Sequence, residues 1–182
     1  MKRLRSTGDS LKCLQSFPQD TGLDIDPWRT HPRLQGKFSV PGYPDDLKVL
    51  IHDGGPNVTN RRPELVYARV TGYVAHVYRG RVLNRPHQLQ TVKEGDLILF
   101  IVPVNSKWPI YINEKYLEER ADWLIPPCGK CGFSELFDAP SDLIRVQFPL
   151  NPLESTTMFT TRCPMCGEGL VLERVEQTGS AG

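Results

Sequence analysis

Four of the five cysteines stand in two matching runs, Cys128-Gly129-Lys130-Cys131-Gly132 and Cys163-Pro164-Met165-Cys166-Gly167. Two thiolates three residues apart at a tight turn can point at one cation. A second such turn completes a tetrahedral shell of four sulfurs, the donor set that suits Zn²⁺. The glycine after each second cysteine tolerates positive φ, and Pro164 pre-sets the backbone of the second turn. Cys128, Cys131, Cys163 and Cys166 therefore read as the ligands of one zinc site. Four thiolates leave no position open for water, so the spacing points to a structural centre and away from a catalytic one. Neither run opens a helix as a redox dithiol motif does.

A second set of residues could bind phosphate. Residues 61–95 hold seven Lys or Arg against two Glu, a local balance of +5. On strand parity Arg69 shares a face with Tyr67, and Arg79 shares one with Arg81. Arginines beside an aromatic on a sheet can hold a phosphate backbone and stack a base, so Tyr67, Arg69, Arg79 and Arg81 form a candidate nucleic-acid surface. The plainer reading is a solvated outer face, which any exposed sheet needs. Residues 128–182 carry four positive and seven negative charges, a balance that suits a protein partner better than a phosphate backbone.

The remaining reactive types are scattered. His31, His52, His76 and His87 fall in different segments, and the one cleft they suggest, His52 and His87 with Asp96, has no support from spacing. Cys13 has no His or acidic partner signalled nearby and reads as a small hydrophobe. The chain contains no Gly-rich phosphate loop, nucleophile elbow or His-Glu-x-x-His helix, so a non-catalytic protein is expected.

The elements that must position these residues follow from pattern. Residues 1–46 contain Pro18, Pro27, Pro32, Pro41 and Pro44, and read as an extended arm draped on the core through Trp28, Phe38 and Tyr43. Residues 47–125 read as an antiparallel β domain ending in a helix. Its strands are Leu47 to Ile51, Leu65 to Val74 with Val66, Ala68 and Val70 on one face, a third with Tyr78, Gly80 and Val82 inward, and Leu97 to Val102. The last is an unbroken apolar run that predicts burial on both faces. Four strands with short turns predict a strongly curved sheet or small barrel. Asn113 is a predicted N-cap for a helix carrying Tyr116, Leu117, Ala121 and Leu124 and stopped by Pro126-Pro127. Residues 126–175 form the metal module, with strands expected at Phe133 to Phe137, Leu143 to Phe148 and Leu170 to Val175, and 176–182 a tail. The fold class is α+β: a curved antiparallel sheet or small barrel plus one helix, with a docked zinc-ribbon-like module.

Three resemblances add to this. The runs Glu64 to Gly72, Gly80 to Pro86, Lys93-Glu94-Gly95-Asp96 and Ala121-Asp122-Trp123-Leu124 resemble an uncharacterised bacterial family of small domains, which implies an α+β domain with a curved antiparallel sheet and assigns no catalytic residues. The metal module resembles a zinc ribbon. Its two cysteine runs, with 31 residues between Cys131 and Cys163, also resemble rubredoxin, which implies a single iron and electron transfer as the alternative to zinc.

At 182 residues and a formal net charge of +1, the chain is long enough to bury a core and is neither grossly basic nor acidic. Cysteines in metal spacing fit a reducing compartment, so a cytoplasmic location is expected. The polar residues after Arg5 do not continue an export signal. No apolar run reaches membrane-spanning length, and no membrane partner is expected. The reading that results is a zinc-containing adaptor whose partner is another protein, such as a toxin or enzyme bound by an immunity or accessory protein, with nucleic-acid binding as the alternative.

Overall fold

The computed structural model describes residues 28–37, 42–43, 45–55, 58–150 and 153–175. Cys13, Phe38, most of the prolines expected in the arm, and the tail lie outside the described residues.

Five strands close into a barrel: β1 (Asp46–Ile51), β2 (Glu64–Val74), β3 (Val77–Val82), β4 (Leu97–Ile101) and β5 (Ile110–Ile112). Each pairs antiparallel with the next, so the odd count forces β1 and β5 to run parallel where the barrel closes, at Leu50 opposite Ile110. Period-two patterning does the work here. Val66, Ala68 and Val70 of β2, and Tyr78 and Val82 of β3, point inward with Leu47, Val49, Ile98 and Phe100. Gly80 lies among them because a Cβ there would stand 3.1 Å from both the Arg69 carbonyl and the Phe100 ring. Tyr78 stacks on Phe100 at 5.3 Å between centroids.

Leu34, fully buried, is supplied to this core by the turns at 28–37. Trp28 packs against the same cluster and donates its indole N–H to Asp45. His31 tightens the attachment. The Arg33 amide donates to His31 Nδ1, which makes Nδ1 the acceptor of the Tyr78 hydroxyl at 2.7 Å; Nε2–H then reaches the Tyr73 hydroxyl at 2.9 Å.

Four sequence expectations are corrected. The sheet has a fifth strand, β5, three residues long. The helix expected to run to Pro126 is short: α1 (Glu114–Arg120) starts at Asn113, whose side chain accepts the Tyr116 N–H, and stops before Trp123. Trp123–Leu124 is instead strand β6, pairing with β8 (Gly169–Arg174), which also pairs with β7 (Met158–Arg162). The segment expected as a strand around 143–148 is α2 (Pro140–Gln147), begun by a proline at its first turn and Asp142, while 133–137 holds no regular element. Finally, β4 is not buried on both faces. Ile98 and Phe100 are inside, but Leu97 is 54% exposed and Leu99 and Ile101 are only half covered.

What covers that outer wall is a second buried cluster. Leu50, Ile110 and Ile112, on the outside of the barrel, pack with Tyr116, Trp123, Phe133, Phe137, Leu143, Ile144, Phe159, Leu172 and the sulfurs of Cys128 and Cys163. Strand β6, before residue 126, and strands β7 and β8, after it, thus share one sheet and one core.

Candidate metal centre

The two cysteine runs are equivalent turns. In the first, the Cys128 N–H donates to the Phe133 carbonyl at 2.8 Å and the Gly132 N–H returns to the Cys128 carbonyl at 2.7 Å. In the second, the Cys163 N–H donates to the Glu168 carbonyl at 2.7 Å and the Gly167 N–H to the Cys163 carbonyl at 2.9 Å. Gly132 and Gly167 sit at φ +74° and +76°, the left-handed region that a β-carbon disfavours. The second turn is the tip of the β7–β8 hairpin, just beyond the Arg162–Gly169 pair. The first follows β6, so the β6–β8 pairing brings the two tips together.

All four sulfurs lie within 4.8 Å of one another; Cys128 and Cys166 are 3.5 Å apart, as are Cys131 and Cys163. A disulfide requires about 2.05 Å. A tetrahedral metal with bonds of about 2.3 Å to sulfur sets its ligands roughly 3.8 Å apart. The four cysteines are placed to bind a metal ion. Their environments differ: amide N–H groups of Cys131 and Lys130 aimed at Cys128 lower its pKa, while burial pushes Cys163 up. Binding a cation would hold all four as thiolates and release protons.

The barrel holds both turns from outside. Asn105 donates its side-chain N–H to the Gly132 carbonyl at 3.0 Å. On the other side the Gly54-Gly55 loop meets Asp138. Its carboxylate accepts the Gly55 N–H at 2.6 Å, and a Cβ on Gly54 would lie 2.5 Å from one of its oxygens. A Cβ on Gly55 would come 2.8 Å from the other and 3.9 Å from Pro164, inside the second turn. Burial pushes the Asp138 carboxyl up to about 6. His52 stacks on Phe137 at 4.1 Å, accepts the Gly54 N–H and donates Nε2–H to the Tyr111 carbonyl. Burial lowers its pKa to about 4, so it is a neutral packing residue. Sequence reasoning missed Asp138 and Asn105. The adjacent glycines Gly54 and Gly55 are the local signal in the sequence for this close approach.

His52, His87 and Asp96 do not form a site. His52 is buried as described, His87 is exposed with its N–H on Glu64, and Asp96 accepts the Lys93 N–H. The basic stripe is placed as parity predicts, with Arg69 directly opposite Arg81 on the outer wall and Tyr67 two residues along. Much of its charge is engaged within the fold. Arg69 makes a two-pronged pair with Asp46 at 2.7 and 3.0 Å, and Arg81 donates to the Gly95 carbonyl. Arg79 pairs with Gly72, across from the bulge that β2 makes between Val70 and Gly72.

Compared with known proteins, the chain matches no protein-family model, no curated protein and no solved structure. No described helix is long and apolar enough to cross a membrane.

Proposed function

We propose that the chain is a non-catalytic binding protein of the immunity or accessory kind, acting in the cytoplasm. Its four cysteines hold one structural Zn²⁺ in a zinc-ribbon-like module, and its partner is another protein. The observation that carries this reading is the convergence of four sulfurs from two equivalent turns. Such a shell is closed to substrate, and two of its members, Cys128 and Cys163, are buried in the second core, where a metal contributes to folding.

The surface beside the metal supports a protein partner. The outer face of the β6-β8-β7 sheet exposes Leu124 and Met158 on either side of Glu173, with Val171 diagonal to them. An apolar row on a sheet with net negative charge nearby is a surface that proteins recognise and polyanions avoid. The test is capture from native lysate with the wild-type chain and with Leu124→Glu/Met158→Glu, which leaves the cysteines intact. A specific protein retained by the first and lost by the second is expected. A chain that recovers no partner, or the same proteins with both, contradicts the reading.

A further inference from the structure

At the edge of the second core, the barrel wall carries a different set of side chains from the arginine stripe. On β1, residues 46, 48 and 50 point outward. Leu50 is covered, whereas Lys48 stays partly open and lies opposite Tyr67 on β2. Across the parallel seam, Trp108 stands just before β5, half-buried with part of its ring against the second core and part left open. The Lys48 ammonium lies 5.4 Å from the Tyr67 ring centre and 5.9 Å from that of Trp108, and the Lys107 ammonium lies 5.0 Å from the Trp108 ring centre. The row reads Tyr67, Lys48, Trp108, Lys107: ring, cation, ring, cation.

We propose that this row is a binding platform for single-stranded nucleic acid, with bases stacking on Tyr67 and Trp108 and the phosphates between them meeting Lys48 and Lys107. This goes beyond the protein-partner reading and uses another face of the molecule. A single strand alternates flat base and anionic phosphate, the complement of this row. The acids nearby are already spent. Asp46 is paired with Arg69, and Asp45 takes Arg29 and the Trp28 N–H, whereas among the described residues no carboxylate pairs with Lys48 or Lys107. The platform is also rigid. Lys37 donates to the carbonyls of Ser106 and Lys107, and Ser106 Oγ bonds both the N–H and the carbonyl of Trp108.

With no strand bound, the ammonium groups rest over the rings. An exposed cation–π contact is worth a few-fold in affinity and a base–aromatic stack about five- to a hundredfold, so an arriving base displaces a lysine that then turns to the phosphate. The earlier candidates Arg69, Arg79 and Arg81 flank the row on β2 and β3 and are not its centre.

Fluorescence anisotropy with labelled single strands of about twelve nucleotides, one DNA and one RNA of the same sequence, tests the proposal at low and physiological salt. Binding should appear at low salt and weaken steeply as salt rises. Tyr67→Ala should weaken it roughly tenfold, and Lys48→Gln/Lys107→Gln should flatten the logarithmic salt slope by about 1.4, two phosphates' worth for a single strand. Tyr67 and Lys107 are exposed and Lys48 is half-buried, so these variants should fold, and Trp108→Phe, which keeps a ring against the second core, should retain most binding. Preference between the DNA and RNA strands reports which is the ligand. No binding of either strand at low salt, equal affinity for duplex DNA, equal affinity for polyglutamate, or binding indifferent to the lysine pair would each overturn it.

Discussion

Inside the barrel, Leu34, Val49, Ile51, Val66, Ala68, Val70 and Phe100 are buried among residues of their own kind, closed by strand pairing on every side. Outside it, the second cluster has comparable aromatics but also contains Cys128 and Cys163, and its sheet is three short strands of which β6 has two residues. The first core is complete as polypeptide. The second buries sulfur atoms that point at one another and that a cation would satisfy. One region is thus stabilised by apolar burial alone and the other, with the proposed metal bound, by burial plus ligation, so the two should fail under different conditions.

The largest expected effect is therefore metal removal. Chelation, or Cys163→Ser at the fully buried ligand, should remove much of the protection of the amides in β7 and β8 while β1 to β3 keep theirs, read by hydrogen exchange. Structural zinc contributes on the order of 10 kcal/mol in isolated peptides, and less is expected here because the apolar contacts to Leu50, Ile110 and Ile112 remain. Loss of protection throughout would show that the barrel depends on the metal as well. The converse probe is Phe100→Ala, which removes a fully buried ring stacked on Tyr78 and should cost about 3–5 kcal/mol in denaturant unfolding. Metal affinity should stay unchanged.

The seam between the two regions gives a pH signature. His52, held neutral with its pKa near 4, lets the unfolded chain bind more protons between about pH 6.5 and 4, so its share of stability, on the order of 3 kcal/mol, is lost on acidification. Asp138, raised to about 6, has the opposite sign: the folded chain binds more protons between about pH 4 and 6, so its share is regained over that range. In the wild type the two slopes offset. Asp138→Asn keeps an acceptor for the Gly55 N–H and removes one of them. It should be more stable than wild type at pH 7, by at most about 3 kcal/mol, and lose stability more steeply toward pH 4. Parallel pH profiles for the two proteins would contradict this. At the same seam Gly54→Ala, at φ +106° and facing the Asp138 oxygen, should cost about 2 kcal/mol and loosen the second cysteine turn.

The smallest effect lies in the barrel alone. The β2–β3 hairpin turns on Ala75 and His76, both at positive φ without being glycine. Ala75→Asn, a residue that accepts this conformation, should raise stability by about 1 kcal/mol or less in thermal unfolding and leave the metal region unaffected.

The contrast between the regions also governs how much was legible. Strands β2 and β3 alternate cleanly and the paired cysteine turns announce their ligands by spacing, so both could be read, whereas the unbroken apolar run of β4 hid its half-open face and three-residue β5 is too short to show a period. The rest depended on tertiary context. Leu124 fits a helical spacing after Tyr116 and Leu117, yet β8 captures it as a strand partner. Leu143, Ile144 and Val146 are good strand formers, but Pro140 and Asp142 open a helix whose buried face is Leu143 and Ile144. Strand β7 offers Phe159 and Thr161 as its inward residues, and a buried threonine bound by Gln147 does not register as hydrophobic patterning. The contacts of Asp138 with the Gly54-Gly55 loop span more than eighty residues of sequence, a distance no local pattern encodes.

We propose that one zinc ion in a shell of four sulfurs holds the second region together. X-ray absorption on protein purified without added metal tests it most directly. A zinc edge with four sulfur neighbours at about 2.3 Å is the predicted result. An iron edge would move the chain to the rubredoxin-like alternative, and a zinc edge with nitrogen or oxygen neighbours, or no bound metal in a folded chain, would rule out a four-sulfur zinc shell.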